Sequence, residues 1–171
     1  MLSTKMEKAL NEQINAELYS AYLYLSMAAH FESVNLLGFA SWMKVQTQEE
    51  VTHAMKIYDY VTQQLGRVTL KPIAGPPTEW KAPLTAFEAA CKHEQHISGR
   101  INDLVNLAVG EKDHATNNFL QWFVKEQVEE EASVDAVVQK LKLVKDAACG
   151  LFMIDRELGQ RKAASAAGKG E

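Results

Sequence analysis

Four long runs of helical apolar periodicity, joined by two short links and one long proline-rich one, restrict this chain more than any other feature. In the first run Leu10, Ile14, Leu18, Ala21, Leu25 and Ala28 recur at helical spacing. Thr4 and Glu7 have the form of a capping box at its start, and it ends near Glu32. The second run extends from Leu36 to Gln64, with Phe39, Met43, Met55 and Tyr58 on its apolar face and Leu65-Gly66 as its C-cap region. The third starts at Pro83, since proline is tolerated in a first turn, and reaches Val109 before Gly110. The fourth starts at Asp113 or His114 and continues to Lys145. Gly38 and Gly99 fall inside these runs, where glycine weakens a helix.

Each helix would be about 27 to 33 residues, roughly 40 to 50 Å at 1.5 Å per residue. Helices so long and so similar pack side by side. Short links after the first and third make antiparallel pairs. The middle connection, RVTLKPIAGPPTEWKA at residues 67–82, is different in kind. Pro72, Pro76, Pro77 and Gly75 exclude a continuous helix, and Val68 to Leu70 reads as a short extended piece. Its length is enough to cross a bundle end to end, which makes the second and third helices parallel. The expected fold is all-α, a four-helix bundle with one long crossover. Ala148 to Leu158 adds a short fifth, C-terminal helix with Phe152, Ile154 and Leu158 as anchors. Beyond Gly159 the residues are small and polar. The organisation expected is one domain over 1–159 and a flexible tail over 160–171.

The net charge of -4 and a pI near 5.8 argue against nucleic acid as a partner, the only basic cluster being Arg161 and Lys162. Cys91 and Cys149 are isolated, which gives neither a thiolate metal cage nor a disulfide framework. The opening residues lack the apolar run of a signal peptide, and no apolar stretch is long enough to span a bilayer. A soluble, cytoplasmic protein with no membrane association is the expectation.

The chemistry concentrates in acids placed on otherwise apolar faces. Glu50 and His53 are three apart, so a carboxylate oxygen and an imidazole nitrogen can reach one ion from one helix face. Glu17 shares the apolar stripe of the first helix, with Tyr24 two turns on. Glu94 accompanies Phe87, Ala90 and Ile101, and Gln127 and Glu130 lie between Phe123 and Val134. Any one of these acids is most simply a solvent-facing residue of an amphipathic helix. One acid from each of four helices, all beside apolar positions, is harder to explain that way. Buried carboxylates must be protonated, paired or bound to metal. Glu17, Glu50 and His53 would hold one ion and Glu94 and Glu130 a second, with Glu50 bridging. Such mixed ligation suits iron or manganese.

The chain resembles the non-haem bacterial ferritins from Leu2 to Leu158, in the segments NEQINAELYSAYLYLSMAAHFE, GFASWMKVQTQEEVTHAMKIYDY, FEAACKHEQHI and FLQWFVKEQVEEE. The resemblance implies a ferritin-like bundle in a homo-oligomeric cage of 24 subunits. It implies a ferroxidase that oxidises Fe(II) with dioxygen or hydrogen peroxide and stores ferric oxyhydroxide. Glu17, Glu50, His53, Glu94 and Glu130 are then the ligands of the paired iron centre, with Gln127 hydrogen-bonded nearby and Tyr24 beside it for electron transfer. Glu49, Glu126 and Glu129 match a third iron site, with Glu130 shared. The fourth helix has Gln127-Val128-Glu129-Glu130 and so no second ExxH, and Val51 stands where haem-binding relatives carry an axial methionine, so no haem is expected. Met43 and Met55 read instead as core packing. The absence of a cysteine-pair iron domain separates the chain from rubrerythrins, and the first helix lacks the histidine and aspartate pattern of the starvation-induced cages. A non-catalytic metal-buffering cage and an oxygen-using diiron oxidase or peroxidase are the alternative readings.

Overall fold

The computed structural model describes residues 1–145 and 147–162, so most of the expected tail lies outside the described residues. The helices are α1 (Thr4–Ser33), α2 (Leu37–Gln63), α3 (Pro83–Gly110), α4 (His114–Val144) and α5 (Ala148–Leu158). α1 packs along α2 and α3 along α4, α1 also meets α3, and α5 lies against α2 and α4. The four-helix bundle, the long crossover and the short fifth helix are all present, within a residue or two of the expected bounds.

The helix ends use chemistry that the sequence reading misplaces. Ser3, not Thr4, caps α1, its Oγ accepting from Met6 N at 3.0 Å. α1, α2 and α3 all close with a left-handed residue followed by a backward bond. Leu36 N donates to Phe31 O, Gly66 N to Val61 O and Asp113 N to Ala108 O. The left-handed residues are Asn35, Leu65 and Lys112, with φ near 60°, and none is glycine. Gly66 stands one place later, where a Cβ would lie 2.9 Å from Glu7 Oε2.

Leu36 gives α2 no side-chain cap. The cap comes from α5, where Asp155 Oδ1 accepts from Gly38 N at 2.8 Å and Phe39 N at 3.0 Å. At this junction a Cβ on Gly38 would lie 1.6 Å from Asp155 O, so only glycine allows the approach. Gly99, by contrast, faces open space.

No strand forms at Val68 to Leu70. Asn11 holds this stretch instead, accepting from Thr69 N at 2.6 Å and donating to Arg67 O at 3.0 Å. Further on, Ser26 Oγ donates to Pro77 O and Trp80 packs edge-on to His30, so the crossover follows α1 from end to end.

The core is two apolar halves separated by a polar layer. One half gathers Met27, Phe31, Phe39, Met43, Phe87 and Val138, and the other Leu10, Ile14, Ile57, Ile101, Leu120 and Phe123. Glu17, Gln46, Glu50, His53, Glu94, Gln127 and Glu130 lie between them, at least one from each of the four long helices, all buried. Four residues expected in the core are exposed in the single chain, namely Leu25, Met55, Tyr58 and Phe152. A stripe extrapolated at fixed spacing drifts around a helix this long, and these residues sit past the edge of the buried face.

Candidate metal centre

All four long helices supply the polar layer at one level. A ligand oxygen of Glu17, one of Glu50 and a ring nitrogen of His53 lie within 4.8 Å of one another, and so do ligand atoms of His53, Glu126 and Glu130. His53 Nδ1 is 3.5 Å from Glu50 Oε2, and its ring is fixed edge-on between Trp122 and Phe123. Glu94 enters from α3. Tyr24 donates a short hydrogen bond to its Oε1, and Gln127 Nε2 donates to its Oε2 at 3.2 Å.

So many acids cannot all carry charge here without a cation. Burial, followed by the neighbouring Glu50 carboxylate, pushes Glu17 up to about 8. Burial and then Glu94 raise Glu130 to about 7. Glu50 is held well above the ordinary carboxyl range by burial and then by Glu94 and Glu130, and burial raises Glu94 too. Tyr24 stays a phenol, its ionisation opposed by burial and then by Glu94. With the carboxylates ionised, Glu17 Oε2 has no hydrogen-bond partner, the one such buried side-chain atom among the described residues, and only a proton shared with Glu50 or a cation satisfies it. An oxygen-rich donor set with an orphaned carboxylate oxygen fits hard or borderline cations such as ferrous ion.

Two relays hold Glu17 and Glu130 from behind. Arg100 Nε donates to Gln13 Oε1 at 2.9 Å, and Gln13 Nε2 donates to Glu17 Oε1 at 2.8 Å. On the other flank Arg161 Nη1 donates to Gln46 Oε1 at 2.7 Å, and Gln46 Nε2 donates to Glu130 Oε2. In each, a guanidinium takes the amide carbonyl, which leaves the NH2 to face the carboxylate. Neither relay follows from the sequence reading. The one available hint is that Gln13 and Gln46 each stand four residues before an acid of the layer, Glu17 and Glu50.

Outside the pocket, Glu49 accepts from Arg161 Nη2 at 2.6 Å, and the exposed Glu129 has Lys125 Nζ at 4.0 Å. Glu126 is grouped with His53 and Glu130, whereas Glu49 and Glu129 join no three-ligand group among the described residues.

A family profile for the ferritin-like domain matches residues 7–144. The chain belongs to the ferritin family. This ferritin chain is 48% identical over 161 residues to a bacterial non-heme ferritin of Bacteroides fragilis, covering 94% of this chain and 100% of that one. It is 38% identical over 158 residues to a bacterial non-heme ferritin of Escherichia coli O157:H7, covering 92% and 96%. Among solved structures, an open-pore ferritin from the archaeon Archaeoglobus fulgidus superposes with a TM-score of 0.94 at 54% identity, covering 95% of this chain and 100% of that one. A closed form of the same archaeal ferritin, engineered by site-directed mutagenesis, gives 0.95 at 54% identity, covering 96% and 100%. The likeness therefore spans bacterial and archaeal ferritins.

Proposed function

We propose that this ferritin is a ferroxidase and iron store: it binds Fe(II) in the polar layer, oxidises it and passes Fe(III) to a mineral held within a homo-oligomeric cage of 24 subunits. The observation that carries the reading is the layer itself, acids from four helices around His53 with an orphaned oxygen on Glu17. Such a set is unstable as free carboxylates and complete as a cation site.

Iron is the substrate here. Glu17, Glu50 and His53 would bind one ferrous ion, and Glu94 and Glu130 a second, with Glu50 between them and Glu126 within reach of His53 and Glu130. Two ferrous ions give up one electron each. Dioxygen taking both, with two protons, leaves as hydrogen peroxide; hydrogen peroxide taking both, with two protons, leaves as two waters. The acids give up their protons as ions bind, and the charge they then carry favours the ferric state. Tyr24, hydrogen-bonded to Glu94, fixes that carboxylate and lies where it can relay an electron. Glu49, Glu126 and Glu129 form the outward path, with Glu130 shared between the inner and outer ions.

Aerobic stopped-flow oxidation of added Fe(II) tests the assignment against Glu50→Ala and His53→Ala. A fall in the fast phase of about a hundredfold or more in either variant, with the assembly intact by size exclusion, is the expected result. Equal fast phases in all three proteins would sink the site. Metal bound without a fast phase in the wild type would leave a metal-buffering cage instead.

A further inference from the structure

We propose that Arg161 is a displaceable internal cation, occupying the outer flank of the centre until a metal ion takes its place. The inference rests on reading Glu49, Glu126 and Glu129 as the outward path for iron. Arg161 comes two residues after Gly159, at the end of α5, from a segment the sequence reading assigns to a flexible tail. Its guanidinium donates to Glu49 and to Gln46 and lies over the Trp42 ring, 4.4 Å from the centroid. Through Gln46 it is tied to Glu130, so one side chain touches an outer acid and, by one amide, an inner ligand.

The fold delivers Arg161 to this place by a continuous surface. Gly38, Trp42, Gln46 and Glu49 fall on one face of α2, at steps of four, four and three residues. α5 docks at the first of them through Asp155, and Arg161 covers the other three. The position is neither free nor sealed, the side chains of Arg161 and Glu49 being 21% and 19% exposed. Two hydrogen bonds and a ring contact hold an arginine firmly enough to fix its place, while partial exposure keeps the cost of release moderate. A divalent ion arriving at Glu49 brings twice the charge and bonds the oxygen that Arg161 uses.

Two consequences distinguish this from ordinary surface pairing. An outer ion must compete with Arg161, so it binds more weakly than the carboxylates alone would hold it, which suits a transit site. Displacement also removes the donor that orients Gln46, so outer filling and the hold on Glu130 are coupled, and the coupling acts equally in both directions.

The test uses the full chain as assembled, with Zn²⁺ as a redox-inert probe, in wild type, Arg161→Gln and Arg161→Lys. Calorimetric titration should show the outer equivalent binding about tenfold more tightly in R161Q than in wild type, with R161K restoring the weaker value. In a Trp80→Phe, Trp122→Phe background, Trp42 emission should change with the outer equivalent when Arg161 is present and not in R161Q. Equal outer affinity in wild type and R161Q would overturn the role of Arg161 while leaving the outer site standing. Saturation of both proteins without any outer equivalent would remove that site, and the inference with it.

Discussion

At the scale of single residues the layer is defined by proton affinity. Glu17 moves from an ordinary 4.5 to about 8 on folding, and Glu130 from 4.5 to about 7. Folded, metal-free protein therefore holds these protons more tightly than the unfolded chain does. Their contribution to stability is full below about pH 4.5 and is lost as pH rises toward 7 and 8. At about 1.4 kcal/mol per pKa unit the loss through Glu17 alone is on the order of a few kcal/mol. The melting temperature of the metal-free protein should fall between about pH 5 and pH 8, and Glu17→Gln should flatten that fall. Parallel slopes would mean that Glu17 is not proton-loaded. Gln13 offers a second check at this scale. Gln13→Leu removes the donor to Glu17 Oε1 and leaves Arg100 Nε without its acceptor, while Arg100 Nη2 keeps the Glu12 carbonyl, so Zn²⁺ affinity at the inner centre should drop roughly tenfold with helicity retained. Unchanged affinity would reduce Gln13 to packing. The candidate ligands are legible in the sequence because Glu17, Glu50, Glu94 and Glu130 are acids on apolar stripes and His53 follows Glu50 by three residues. Arg100, Arg161 and the two glutamines are not, because their meaning lies in contacts between residues 84 to 115 positions apart.

The helices are the most legible elements, since a stripe repeated over seven or eight turns outweighs any local ambiguity. Their ends are less so. Asn35, Leu65 and Lys112 take the left-handed place usually given to glycine, and the bond pattern that makes them do so becomes visible only once the next helix fixes the chain direction. The capping of α2 is more distant still, because its acceptor lies 117 residues away on α5. That arrangement makes α5 a part of the site's support. Asp155→Ala should cost about 1 kcal/mol, as for loss of a helix N-cap. Amide exchange should quicken at the start of α2 and throughout α5, and remain unchanged in α3. Gly38→Ala should produce the same pattern more strongly, because its Cβ would force the α5 backbone away. Exchange confined to residue 155 would show that α5 is held by other contacts.

For the molecule as a whole, the polar layer divides what would otherwise be one apolar core, and it does so at the level where all four long helices meet. The residues misplaced by the sequence reading belong to this scale as well. Leu25 and Phe152 are exposed on a single chain, where nothing in the sequence distinguishes a core stripe from a face that a cage would cover. Metal ions bound in the layer would tie the four long helices together, so the folded state should gain stability by linkage, about 2.7 kcal/mol for a single site at a free concentration a hundred times the dissociation constant. The gain should depend on pH in the direction opposite to that of the metal-free protein. At pH 5.5 an ion must expel protons from Glu17 and Glu130, whereas near pH 8 Glu130 has lost most of its proton and Glu17 is giving up its own. Zn²⁺ should therefore raise the melting temperature more at pH 8 than at pH 5.5. Calorimetric titration near pH 6.5, repeated in buffers of different ionisation enthalpy, should show protons released with the inner equivalents. Binding without proton release would mean that the carboxylates are already ionised in the empty protein, held by a cation other than the ones the helices bring together.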